Sequence, residues 1–179
     1  MAPDPDVVAA YHEAGHAFLA HCLGGRVLAV SLEPDDDDTE QGRTSVAWPR
    51  APRAEQQRRS ALVALAGPVA ELHFRGELDQ LDTLSAWRAD WREVQRALAA
   101  QPEPDPQRVL RRWLAEVRAA LCEPAAWERL CRLADALEAH GSLDADLLDE
   151  LLPATGDQGD DLSLDPDDCD ASDAAADDD

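Results

Sequence analysis

Five histidines occur in the 179-residue chain, and two of them stand four apart in Tyr11-His12-Glu13-Ala14-Gly15-His16-Ala17. Residues four apart lie on one face of a helix, so His12 and His16 point the same way. Two imidazoles at that spacing suit one zinc ion. Glu13, the next residue, suits removal of a proton from a water beside that ion, as in H-E-x-x-H peptidases. The metal polarises the carbonyl under attack, and the carboxylate carries the proton from nucleophile to leaving amine. An accidental H-E-x-x-H arises in roughly one such chain in a hundred, so the flanks have to support the pattern. The bland alternative is two histidines and a glutamate on the wet face of a core helix.

A catalytic zinc ion takes three protein ligands and keeps one position open. The extended pattern H-E-x-x-H-x-x-G-x-x-H fails, because Leu19 and Cys22 stand where its glycine and third histidine belong. His21 falls one residue short and points to another face. The remaining candidates are Glu71, His73, Asp82 and Asp90. Glu71 suits a peptidase whose third ligand is a glutamate on a later helix. Asp90 sits at the edge of an apolar stripe beside Trp87 and Trp91. An acid so placed either meets water or has a partner such as a cation. His73 reads as a partly buried, satisfied histidine, and Asp82 as a turn residue. Spacing alone leaves the choice open.

The elements that must position these residues are mostly helical. Asp4-Pro5 is a capped helix start, and Gly24-Gly25 is a stop, so the motif lies mid-helix. Arg26 to Leu32 alternates, with Leu28, Val30 and Leu32 on one face, and Arg43 to Trp48 alternates likewise. A hairpin with a long acidic loop is expected there. The run Asp35 to Asp38 within it reads as solvated, since EF-hand spacing is missing. Ala54 to Phe74 is an Ala-, Leu- and Val-rich helix, and Gly67-Pro68 predicts a kink or two abutting helices. Leu81 to Ala100 reads as the next helix, with Leu84, Trp87, Trp91, Val94 and Leu98 in helical register. Further amphipathic helices start at Asp105-Pro106 and Pro124, and a short one holds Leu147 and Leu148. The fold class expected is mainly α with a small β-hairpin. One domain spans 1–152, and a disordered acidic tail spans 153–179.

Composition narrows the function. All 16 basic residues are Arg, so no Walker A lysine exists and a P-loop ATPase is excluded. Net charge is −22. The tail from Pro153 holds eleven Asp and no Arg, so residues 1–152 carry 27 acids against 16 Arg, or −11. Such a surface argues against nucleic acid or anionic membrane as a partner. The four cysteines form no C-x-x-C pair. Cys22, Cys122 and Cys131 fall in helical patterns and read as small core residues. The first basic residue is Arg26 and no apolar run approaches 18 residues, so neither a signal peptide nor a membrane span is expected, and the localisation expected is cytoplasmic.

Four segments together resemble the zinc-peptidase domain of the FtsH family of AAA proteases. That family has a Y-H-E-A-G-H-A helix, a V-x-x-V-S-I-x-P strand, a buried A-G-R-x-A-E-E helix and a helix with an N-D-x-x-x-A-T-like segment. Here the counterparts are Tyr11 to Ala17, Val27 to Pro34 (VLAVSLEP), Ala66-Gly67-Pro68-Val69-Ala70-Glu71, and Ala89 to Val94. The match is colinear from residue 7 to about 100. Pro68 replaces the arginine of that pattern and Leu72 the second glutamate. The resemblance implies His12, His16 and Asp90 as zinc ligands, Glu13 as the catalytic carboxylate and Glu71 as a supporting one. It implies a metalloendopeptidase acting on polypeptides. The family's ATPase and membrane segments have no counterpart in this sequence. In the family, an ATPase ring feeds substrates into a hexameric chamber. A chain without it is expected to cut unfolded or flexible polypeptides, or to work with a separate ATPase or unfoldase partner. A homo-oligomer is compatible with the resemblance. The alternative is a non-catalytic zinc-binding or protein-interaction module of the same fold.

Overall fold

The Asp4 carboxylate accepts from the Asp6 N–H at 3.1 Å and Pro5 opens the helix, so α1 runs Pro5–Cys22 from a capped start. The chain turns at Gly24, whose φ of 80° suits glycine, into β1 (Arg26–Ser31). This computed structural model describes residues 3–33 and 42–153. The acidic run Asp35 to Asp38, the tail from residue 154 with Cys169, and the Asp82 side chain lie outside the described residues.

β2 (Arg43–Ala47) pairs antiparallel with β1, as the alternation predicts. Two details differ. A bulge between Val27 and Ala29 shifts the phase of β1. It is Val27 and Val30 that are buried, while Leu28, expected inward, is 42% exposed. A third strand, β3 (Ser142–Asp144), pairs with the other edge of β1, giving the order β2-β1-β3. The hairpin is therefore part of a three-stranded antiparallel sheet.

α2 runs Arg53–Arg75 as one helix through Pro68. Of the two expected outcomes, a kink or two abutting helices, the second does not occur. α1 and α2 cross very closely. A Cβ on Gly15 would lie 2.6 Å from the Ala66 carbonyl oxygen and 2.7 Å from Ala70 Cβ. Ala14, Ala66 and Ala70 have no exposed surface. Small side chains let the two backbones approach, and tight packing on both sides of Pro68 outweighs the hydrogen bond it removes.

The segment expected to be one helix from Leu81 is two elements. A 3-10 stretch spans Leu78–Ala86, and α3 spans Arg88–Ala99. Trp87 joins them with φ −85° and ψ 84°, outside the helical region. Asp90 thus falls in the first turn of α3. α4 (Pro106–Cys122) and α5 (Pro124–His140) start at the predicted prolines, capped by Asp105 and Glu123, and α6 (Ala145–Leu151) follows β3. The fold is mainly α: six α-helices and a small sheet among the described residues. Tyr11 stacks on Phe74 of α2 (4.0 Å between centroids) and lies 5.7 Å from Trp127 of α5, which fixes the motif helix among its neighbours. Cys22 is exposed at the end of α1 and Cys122 and Cys131 are half-buried, so the reading of Cys22 as a core residue fails. Among the described residues, no helix is long and apolar enough to cross a membrane.

Candidate metal centre

Helical periodicity puts His12 and His16 side by side on α1, and the α2 crossing closes over them. Their Nε2 atoms lie 3.0 Å apart. His12, Glu13 and His16 each bring a ligand-type atom within 4.8 Å of the others. A Cβ on Gly67 would stand 2.4 Å from His16 Nε2 and 2.7 Å from His12 Nε2. The glycine read in sequence as a helix break is thus the hole into which both rings fit.

Each ring is oriented by its outer nitrogen. His16 Nδ1 meets the Val63 carbonyl oxygen at 2.7 Å. A carbonyl only accepts, so Nδ1 carries the hydrogen, and neutral His16 presents a lone pair at Nε2. His12 Nδ1 meets Glu71 Oε2 at 3.1 Å, with the same consequence.

Asp90 closes the triangle. Its Oδ2 lies 3.1 Å from His12 Nε2 and its Oδ1 lies 3.4 Å from His16 Nε2. Three groups with lone pairs therefore converge with no donor among them unless a proton or cation sits between. Zinc ligands at 2.0–2.2 Å in tetrahedral geometry stand about 3.4 Å apart, and the three distances match that spacing closely enough for the set to fit. The two carboxylates beside His12 favour its protonated form. Burial works against its charge, but the hydrogen bonds to Asp90 and Glu71 outweigh that and raise its pKa to about 10. Asp90 shows the complement. Burial opposes its charge, and the neighbouring His16 and His12 lower its pKa nevertheless.

The four candidates for the third position occupy different places. Asp90 reaches both Nε2 atoms. Glu71 reaches the far side of His12, and its Oε2 also accepts from Trp87 Nε1 at 2.7 Å while Oε1 pairs with Arg75. Burial opposes the Glu71 charge, yet His12, Trp87 and Arg75 together lower its pKa. His73 packs edge-on against Trp127, with centroids 4.0 Å apart. Asp82 lies on the 3-10 stretch.

Glu13 is 4% exposed and lies on the β2 side of the motif. Thr44 Oγ1 donates to its Oε2 at 3.0 Å. Gly42 lies so close that a Cβ there would come within 2.3 Å of Glu13 Oε1. The site opens on a cleft of about 1420 Å³, lined by both histidines, Glu13, Asp90, β2 residues Arg43 and Thr44, and Trp87.

Sequence reasoning missed Thr44, Trp87, the Val63 carbonyl and the roles of Gly42 and Gly67. The small-residue run Ala64-Leu65-Ala66-Gly67 was the available signal for a close helix crossing. Nothing local marks Thr44 or Trp87. No protein-family model matches the chain, and no curated protein matches it.

Proposed function

We propose that the chain is a zinc-dependent metalloendopeptidase resembling the FtsH peptidase domain, with His12, His16 and Asp90 as metal ligands and Glu13 as general base. The observation that carries this reading is the convergence of His12 Nε2, His16 Nε2 and the Asp90 carboxylate within 3.0–3.4 Å at the floor of an open cleft. Zinc supplies Lewis-acid polarisation of a carbonyl and an acidified water at neutral pH. Glu13 would take a proton from the attacking water and hand it to the leaving amine. The Thr44 hydroxyl holds the Glu13 carboxylate in one orientation, and Gly42 leaves room for it. Glu71 keeps the proton on His12 Nδ1, so Nε2 stays a lone-pair donor.

The substrate class follows from the sheet. Among the described residues β2 pairs with β1 alone, in the order β2-β1-β3, and its Arg43 and Thr44 border the cleft. An extended peptide adds to such an edge through main-chain hydrogen bonds, which requires unfolded or flexible polypeptide. Folded substrates need a separate unfoldase, and a cytoplasmic setting suits this chemistry.

The test is cleavage of casein by the zinc-loaded chain beside Glu13→Gln. Cleavage by the parent and a loss of at least about 100-fold in the variant, with zinc retained, is the expected outcome. Bound zinc without turnover in the parent points instead to a non-catalytic zinc module.

A further inference from the structure

We infer that Trp87 is the positioning residue that keeps Glu71 off the metal and docks the segment bearing Asp90; this rests on the metal-centre reading above. The indole N–H is a donor with no acceptor function. It meets Glu71 Oε2 at 2.7 Å, and the same oxygen takes the His12 Nδ1 hydrogen at 3.1 Å. Arg75 pairs with the other oxygen. Both oxygens of a carboxylate that is 6% exposed are thereby engaged. Turning Glu71 toward the metal would leave the Trp87 donor and the outer nitrogen of His12 without their acceptor and would break the ion pair with the partly exposed Arg75. Glu71 is thus fixed as an acceptor, and the metal position falls to Asp90.

The second consequence comes from where Trp87 stands. It is the non-helical junction between the 3-10 stretch and α3, and Asp90 follows three residues later in the first turn. The hydrogen bond from Trp87 to α2 therefore joins the base of α3 to the carboxylate that orients His12. One bond sets the tautomer of one ligand and the position of another. Resemblance to the FtsH family does not supply this residue, since none of the four matching segments contains it.

The experiment compares the full chain with Trp87→Phe and Trp87→Gln. Phe keeps a ring and removes the donor; the Gln amide reaches about as far as the indole nitrogen and restores one. Zinc affinity is read by competition with a chromophoric chelator, and ligand geometry by the visible absorption of the cobalt(II)-substituted proteins. Helical circular dichroism of the metal-free proteins reports folding. The expected result is zinc binding about 10–100-fold weaker in Trp87→Phe with an altered cobalt spectrum, and recovery of most of the loss in Trp87→Gln. Affinity and spectrum unchanged in Trp87→Phe would overturn the inference while leaving the metal centre standing. So would a Trp87→Gln protein that folds but binds no better than Trp87→Phe. If Trp87→Phe does not fold, Trp87→Gln against the parent decides. Failure of the parent to take up either metal would overturn the metal-centre reading and this inference with it.

Discussion

The two halves of the candidate metal centre are built differently. The half carrying His12 and His16 is the crossing of α1 and α2, where Ala14, Ala66 and Ala70 are fully buried and the backbones nearly touch at Gly15. The half carrying Asp90 is an arm, the 3-10 stretch and the start of α3, in which the Asp90 side chain is 20% exposed. In the crossing, the geometry of the two imidazoles is a consequence of packing. In the arm, the placement of Asp90 depends on a junction residue and a few polar bonds. A rigid pair of imidazoles joined by a less buried carboxylate puts the precision of the site on one side and its adjustability on the other.

Breaking the crossing has the largest expected effect. Gly67→Ala places a methyl group where the two Nε2 atoms converge. We expect zinc affinity to fall by at least about 100-fold and the fold to lose about 1–3 kcal/mol from overpacking. Zinc analysis and denaturant unfolding read the two effects, and stoichiometric zinc in that variant would mean the crossing is not the rigid half.

Breaking the arm separates binding from folding. Asp90→Asn should lose zinc by about 10–100-fold while the metal-free protein still folds, destabilised by about 1 kcal/mol for its lost charge-assisted contact with His12. Glu71→Gln should do the reverse, retaining more zinc but losing stability, since it leaves Arg75 and the His12 hydrogen facing a neutral amide. Unchanged zinc in Asp90→Asn would remove Asp90 from the ligand set.

The smallest effect belongs to the contact that neither half contains. Thr44→Val removes the hydroxyl that holds Glu13. Turnover on casein should fall about tenfold with zinc content unchanged, the size of one charge-assisted hydrogen bond. Loss of zinc in this variant would show that β2 supports the metal rather than the base.

The same division governs what the sequence made legible. α1 was readable because its signals are local: the Asp4-Pro5 cap, the i, i+4 histidines and the glycine stop. The prolines at 106 and 124 marked α4 and α5 for the same reason. The arm was not readable. Trp87, Trp91 and Val94 keep helical spacing across a junction where the backbone leaves the helix and the Trp87 indole donates to Glu71. Periodicity registers side chains that face a core and is blind to a hydrogen bond made 16 residues away. The choice between Glu71 and Asp90 likewise depended on which side of His12 each carboxylate approaches. That is a matter of how α2 and α3 pack, which spacing within one helix does not carry. The bulge at Val27 and Ala29 and the three-residue β3 were invisible for a related reason: both are set by pairing partners rather than by composition.

The most direct measurement is zinc K-edge X-ray absorption on the chain reconstituted with one equivalent of zinc. Convergence of His12, His16 and Asp90 predicts a four-coordinate ion with nitrogen and oxygen neighbours at about 2.0–2.2 Å and outer-shell scattering from two imidazoles. Failure to retain zinc, a sulfur neighbour at about 2.3 Å, or scattering from a single imidazole would contradict it.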